Sequence, residues 1–235
     1  MSSVFKFKKF NVLQKDSALK VGTDSMLLGS IINPKEAKHG LDLGAGTGVL
    51  SLMVAQINNS ICIDAIEKDL DSNKECQVNF NHSPWSDRLM ALNGNYFEFP
   101  FNKKYDLIFS NPPFYLEQET NTKKANLISK HTSLIEFEKL ASLLLNHLSE
   151  KGSFWIILPY NLFKYLEELN VFKPLNIRLL YIIHAKKNKR NSRVVIEFSF
   201  KLEKTLVKEL IVRNDDNSYT DEYVILTKEF HFNKL

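Results

Sequence analysis

The chain has 235 residues, 44 % of them apolar and 25 % charged, a composition that suits a soluble globular protein and excludes fibrous and largely disordered classes. That length accommodates one domain with a large core and a short extension. A formal charge of +4 is too small to establish nucleic-acid binding by itself. No charged-then-apolar leader follows Met1, and no apolar run approaches the ~20 residues that cross a bilayer, so a cytosolic protein is expected. Cys62 and Cys76 lie in apolar patterns without Cys-x-x-Cys spacing and are expected to be reduced core residues. The six histidines show no metal-ligand spacing, so no structural metal is expected.

In chain order, Phe5 to Val21 alternates apolar and basic residues and then carries Val12-Leu13, which predicts a short strand or hairpin with one packed face. Thr23 or Asp24 is the expected N-cap of a helix from Ser25 to Ile32, ended by Asn33-Pro34. An opening segment of this kind is placed to lie across the mouth of a later site. From Gly40 the signals alternate. A strand over Gly40–Leu43 leads through a glycine loop to a helix from about Thr47 to Ile57. Ile61 to Ile66 reads as a second strand ending at Glu67, with Asp69 capping a helix that runs towards Asn81. A third strand falls near Leu89–Leu92 and a fourth at Tyr105–Ser110. Leu134, Phe137, Leu140, Ala141, Leu144 and Leu148 mark one helix face, Ser153–Leu158 a fifth strand, and Leu162–Leu169 a helix. Two last strands, near Ile177–Ile183 and Val194–Phe200, have only a basic loop between them and should pair antiparallel. The expectation is an α/β fold with a seven-stranded, mostly parallel sheet, helices on both faces and a C-terminal antiparallel hairpin. Residues 1–33 form a hairpin and helix extension, and 34–235 form the catalytic part.

Two stretches carry chemistry. Asp42-Leu-Gly44-Ala45-Gly46-Thr-Gly48 joins a strand to a helix, where glycines let the backbone approach a ligand closely. The spacing is G-x-G-x-G and not the G-x-G-x-x-G of dinucleotide binders. It suits S-adenosyl-L-methionine, which has no pyrophosphate and presents an ammonium that Asp42 can meet. Glu67 ends the next strand, where an acid reaches ribose hydroxyls and repels the extra phosphate of NADP. Asn95 and Tyr96, after the third strand, lie within reach of an adenine ring. Asn111-Pro112-Pro113-Phe114 follows the fourth strand, and two prolines hold the chain in one direction. The Asn111 side chain and the Pro112 carbonyl then form a wall of two acceptors beside an aromatic ring, which suits a planar group bearing NH₂. Both stretches lie at carboxyl ends of strands, where open α/β sheets bind ligands, so they face one pocket. Methyl transfer to an amino nitrogen is the reaction expected.

Asp42–Gly48 with Asn111–Phe114 resembles the class I S-adenosylmethionine-dependent amino-methyltransferases. Lys20-Val-Gly-Thr-Asp24, Ile63–Glu67, Ser83-Pro-Trp85, Asp106–Pro113 and Leu210–Arg213 with Tyr219–Tyr223 are similar to the bacterial tRNA1(Val) adenine-N6 methyltransferases, from about Phe7 onward. The resemblance implies that Asp42, Gly44, Gly46 and Glu67 hold the cofactor, flanked by Gly22, Ala45, Lys68, Asn95 and Tyr96, with Thr23 closing over it. It implies that Asn111 and Pro112 bind the target amino group, followed by Pro113, while Phe114 stacks on the base. The substrate it implies is the adenine 3′ of the anticodon. Asn95 stands where many such enzymes carry Asp, and Phe114 where Tyr is frequent.

Basic residues gather at Lys6, Lys8 and Lys9; at Lys123, Lys124 and Lys130; and at Lys186, Lys187, Lys189, Arg190 and Arg193. The last two groups are the expected tRNA contacts, and a phosphate-binding rim requires the clusters to share a face. Asp106 and His131 are expected to have no catalytic proton role. A protein-glutamine methyltransferase acting on release factors shares Asn-Pro-Pro-aromatic, but only about forty residues precede the glycine loop here, too few for the helical domain such enzymes usually carry. A non-catalytic RNA-binding protein and an NAD-dependent oxidoreductase are the remaining readings.

Overall fold

A computed structural model describes residues 3–17, 20–34, 36–113, 123–187 and 191–232, with backbone alone for 123–133 and 191. A two-stranded hairpin, β1 (Val4–Lys6) and β2 (Asn11–Leu13), precedes helix α1 (Thr23–Ile31). The α/β body follows as β3 (His39–Leu43), α2 (Val49–Ile57), β4 (Cys62–Glu67), α3 (Leu70–Asn81), β5 (Leu89–Asn93) and β6 (Tyr105–Ser110). Then come α4 (Lys123–His147), β7 (Leu148–Pro159), α5 (Tyr160–Glu168), β8 (Asn176–Lys186), β9 (Asn191–Ser199), β10 (Leu206–Arg213) and α6 (Asp221–Thr227).

The main sheet has eight strands in the order β10-β8-β9-β7-β6-β3-β4-β5, one more than expected. β9 runs antiparallel to both β7 and β8, because only the short 187–190 loop separates it from β8. The strand not foreseen is β10, parallel to β8. Its first four residues are exposed and only Leu210 and Val212 are buried, so the apolar alternation that marks a strand is confined to its second half.

Two apolar layers clamp the sheet. Alternation along β3 sends Leu41 and Leu43 to the layer under α4 and α5, with Phe137, Leu144, Phe163 and Leu166. The opposite layer holds α1, α2, α3 and the hairpin, through Leu28, Met53, Phe80, Phe7 and Val12. Cys76 belongs to that layer, whereas Cys62, the first residue of β4, is exposed; both are free thiols. At the amino end of the sheet, Asp106 Oδ2 accepts from the Lys38 and His39 amides at 3.0 and 3.1 Å and Oδ1 from Ser149 Oγ at 3.2 Å, which pins β3 to β6 and β7.

The N-terminal hairpin also lies at the amino end. Phe10 packs edge-on against Trp85, which precedes β5, with ring centroids 5.7 Å apart. The Lys8 amide donates to Phe230 O at 3.0 Å, and Gln56 in the last turn of α2 donates to Glu229 O at 2.9 Å. The chain then climbs along α3 towards the carboxyl end. Asn79 is bound to both the amide and the carbonyl of Leu13 and to Thr47 O. Glu75 accepts from the amides of Lys15, Asp16 and Ser17, and the Lys20 ammonium donates to the carbonyls of Gln14, Lys15 and Ser17. Burial pushes the Glu75 carboxyl up, but the amides of Asp16, Ser17 and Lys15 outweigh it and hold the carboxyl below its ordinary value. α1 starts at Thr23 and not Ser25, and its N-cap is Gly22: the Ser25 hydroxyl receives the Gly22 amide at 3.2 Å and donates to Gly22 O at 3.0 Å.

The glycine loop has a packing requirement of its own. Gly48, the N-cap of α2, has φ +78°, and a Cβ there would lie 2.5 Å from a Phe80 ring carbon and 2.7 Å from Cys76 Sγ. Gly48→Ala combines left-handed strain with overpacking and is expected to cost about 3 kcal/mol. In thermal melting that reads as a Tm roughly 6–12 °C lower. An unchanged Tm would show that α3 gives way without cost.

Candidate active site

The site is assembled by strand register at the carboxyl ends of β3, β4 and β6. Leu43 is in register with Ile66 on one side and Ser110 on the other, so Gly44, Glu67 and Asn111 leave the sheet side by side. The Ser110 hydroxyl donates to Leu43 O at 2.7 Å and fixes that adjacency. The glycine loop turns over Ile66 O, which receives the amides of Gly44 and Ala45 at 2.9 and 3.0 Å. Gly44 and Gly46 have φ of +73° and +54°, a region that side-chain-bearing residues rarely enter.

Glu67 holds the loop from the neighbouring strand. Its Oε2 accepts from the Gly46 amide and Oε1 from the Asp69 amide, both at 2.8 Å. A carboxylate has about four acceptor sites, so two bonds leave capacity for hydroxyl groups. Lys68 is exposed beside it. Asn93, which the sequence reading passed over, donates to Glu67 O at 2.9 Å and locks the end of β4 to β5. The Tyr96 ring stands next to Gly44, at 4.0 Å from where a Cβ would be. Asn95 Oδ1 accepts from the Phe97 amide at 3.1 Å, so its carbonyl is committed to a turn.

Asp42 lies wholly buried beneath the loop, with Oδ2 receiving the Ser51 hydroxyl at 2.8 Å. Burial raises its pKa to about 7 against the opposing pull of Ser51, and Glu67 adds to the rise. Its Oδ1 is buried with no hydrogen-bond partner among the described residues. Such an orphaned acceptor fits a cationic ligand group. A Cβ built on Gly46 would meet nothing within 4 Å, so the loop presents bare backbone to open space. These features fit S-adenosyl-L-methionine, with an ammonium to be met by an acid and hydroxyls to be met by Glu67. Among the described residues no group of three or more His, Cys, Asp and Glu side chains gathers as a metal site would.

Asn111 and Pro112 are partly buried and Pro113 is exposed, directly after β6. Phe114 lies outside the described residues. So do Lys189 and Arg190, and of Lys123, Lys124, Lys130 and His131 only the helical backbone is described. Lys186 and Lys187 of one basic group, and the backbone of the α4 turns that carry another, belong to the carboxyl side of the sheet. The β8–β9 loop is at that end because Arg193 is in register with Pro159, the last residue of β7. α4 returns to the amino end at His147, and its 25 residues span about 37 Å, which carries its lysine-rich first turns to the other side. The third group does not join them: Lys6, Lys8 and Lys9 sit on the hairpin at the amino end. Arg193 is paired within the protein, its Nε donating to Asp24 Oδ2 at 2.9 Å. Lys186 donates to Asp215 O at 3.2 Å, and Lys187 is exposed. A pair whose members are 169 residues apart gives no local pattern to read.

The fold and the paired motifs define a methyltransferase, and a family model for the methyltransferase small domain matches residues 15–170. The crystal structure of a "predicted O-methyltransferase" from Agrobacterium tumefaciens shares the fold, with TM-score 0.66 over 88 % of this chain and 96 % of the other at 15 % identity. A tRNA1(Val) (adenine(37)-N6)-methyltransferase of Phocaeicola vulgatus is 33 % identical over 229 residues, covering 97 % of each chain. That of Flavobacterium psychrophilum is 36 % identical over 234 residues, covering 97 % of this chain and 99 % of its own. The chain belongs to this methyltransferase family. It is an enzyme that uses S-adenosyl-L-methionine.

Proposed function

We propose that this enzyme methylates the N6 amino group of an adenine in tRNA, the one 3′ of the anticodon that the relatives' names place in tRNA1(Val). The observation that carries this reading is the register of Leu43 with Ser110, which sets Asn111-Pro112 beside the glycine loop. When bound, the cofactor supplies a sulfonium-activated methyl group. The target adenine leaves its stack to enter the pocket, and Phe114 covers its face. Asn111 Oδ1 and the Pro112 carbonyl accept the two amino hydrogens, which favours a pyramidal nitrogen and aims its lone pair. No strong general base is needed, because nitrogen becomes acidic once alkylated, and positioning provides most of the acceleration. Asp106 is consistent with this, since both its oxygens are occupied at the far end of the sheet.

Gly22, Thr23, Asp42, Gly44, Ala45, Gly46, Glu67, Lys68, Asn95 and Tyr96 surround the cofactor in this reading. Of residues 1–33, the stretch around Gly22 and Thr23 acts as the cover, whereas the hairpin lies at the amino end of the sheet away from the site, and 34–235 act as the catalytic part. Lys123, Lys124, Lys130, Lys186, Lys187, Lys189 and Arg190 face tRNA phosphates along the carboxyl side. A monomer is the favoured state in this reading, and the cytoplasm, where tRNA is modified, is its place of action. Among the described residues no helix is long and apolar enough to cross a membrane.

The test uses purified protein, labelled cofactor and total tRNA from a strain lacking the enzyme, followed by nucleoside analysis. N6-methyladenosine mapped next to the anticodon of tRNA1(Val) is the expected product. Label in a release factor would transfer the reading to glutamine methylation. Label in ribosomal RNA would retain adenine and replace the substrate.

A further inference from the structure

We propose that Arg193 and Asp24 form a positioning pair, through which the basic β8–β9 hairpin sets the Gly22–Thr23 segment at the mouth of the site. This rests on the reading that Gly22 and Thr23 face the cofactor. The side chains are 21 % and 28 % exposed, so the pair is largely shielded from screening by solvent. Arg193 is well placed to transmit a position. Its backbone is held between Pro159 of β7 and Ile183 of β8, its Nη1 donates to Ser192 O at 3.0 Å, and Ser192 Oγ donates to Ile183 O at 3.1 Å. Asp24 sits in the first turn of α1, where a carboxylate is favoured by the helix dipole.

The segment between the anchors is held locally by the Ser25 hydroxyl, which binds the Gly22 amide and carbonyl, and the ion pair adds a hold from a second element. Gly22 and Thr23 themselves are both exposed. On its N-terminal side the chain is fixed by the Val21 amide donating to Gln14 Oε1 at 2.7 Å and by the Lys20 ammonium. On its C-terminal side α1 is packed into the core through Met26, Leu27 and Leu28, and among the described residues its side-chain ion pair to another element is Asp24 with Arg193. The hairpin that supplies Arg193 also carries Lys186 and Lys187, so phosphate pulling on that hairpin bears on Gly22–Thr23. Cofactor and RNA affinities are therefore coupled, each raising the other by the same factor. Arg193 acts on the cofactor side of that coupling and is not itself a phosphate contact.

A double-mutant cycle tests the pair: Asp24→Asn, Arg193→Gln and the two combined, titrated with S-adenosylhomocysteine by calorimetry in the absence of RNA. Each single substitution is expected to weaken binding about 3- to 10-fold, with the double variant no weaker than either single, as for groups that act as one unit. The reversed pair Asp24→Arg with Arg193→Asp should recover part of the affinity. Thermal melting checks that each variant is folded, and Arg193→Lys, which keeps the charge and loses the guanidinium geometry, carries the test if Arg193→Gln is not. Effects that simply add would overturn the proposal. So would unchanged S-adenosylhomocysteine affinity with tRNA binding that loses about one unit of salt slope, the behaviour of a plain phosphate contact. The cycle needs no methyl transfer, so an enzyme inactive on every tRNA would reject the proposed substrate and leave this result standing.

Discussion

Asn111→Ala is expected to lower kcat on tRNA by about 10²- to 10³-fold, the loss typical of removing one preorganised hydrogen-bond partner of a reacting group. The affinity for S-adenosylhomocysteine should stay within about twofold, because Asn111 lies on the acceptor side of the pocket. Asn111→Asp retains an oxygen acceptor in the same place and should lose less. Single-turnover methylation of saturating tRNA, beside calorimetry with S-adenosylhomocysteine, separates the two quantities. If alanine reduced cofactor affinity in proportion to rate, Asn111 would be a cofactor ligand and the amino-group assignment would fall.

Asp42→Asn is expected to weaken S-adenosylhomocysteine binding roughly 100-fold, about 3 kcal/mol, as when one partner of a buried charge pair is removed. Its pH behaviour makes the prediction specific. Burial lifts the Asp42 pKa to about 7, far above its unfolded value. A carboxyl whose folded pKa is raised holds its proton longer in the folded state, so its contribution makes stability fall as pH rises through the interval between the two values and level off above about 7. Binding an ammonium reverses that preference, since the ligand favours the ionised acid. Affinity in the wild type should therefore rise from about pH 5 to about pH 7, with proton release on binding, and the Asp42→Asn variant should be flat over that span. A flat wild-type profile with an unweakened Asn variant would reduce Asp42 to a structural partner of Ser51.

Most of the sheet was legible because its central strands are short apolar runs between strong punctuation: Tyr105–Ser110 was read with both ends correct, and Asp69 caps α3 as expected. The glycine loop and Asn111 were legible for the same reason, since glycines and prolines impose backbone geometry locally. What escaped depends on partners distant in sequence. Glu75 and Asn79 face inward from α3 and look like misplaced polar residues until the amides of Lys15, Asp16 and Ser17 and the backbone of Leu13 are set against them. The signal available was polar side chains at i and i+4 on the helix face that also carries Cys76 and Phe80. Arg193 looked like one more cation in a basic loop, and its carboxylate partner comes from the first helix. Gly22 displaced Thr23 as the cap because Ser25 supplies the hydroxyl from inside the helix.

The bridge between Phe7 and His231 places the earliest-translated part of the fold against one of the last. On a ribosome, Trp85 emerges early enough to cover Phe10, but the edge of Phe7 that pairs with His231 stays open until the last part of the fold is made. A nascent chain interrupted after β10 has the catalytic strands in full and still lacks the cover for its own beginning. Chaperone occupancy on translating chains should concentrate on this hairpin, and a stalled product would be recognised there as unfinished, with an intact active-site sequence but an open seam.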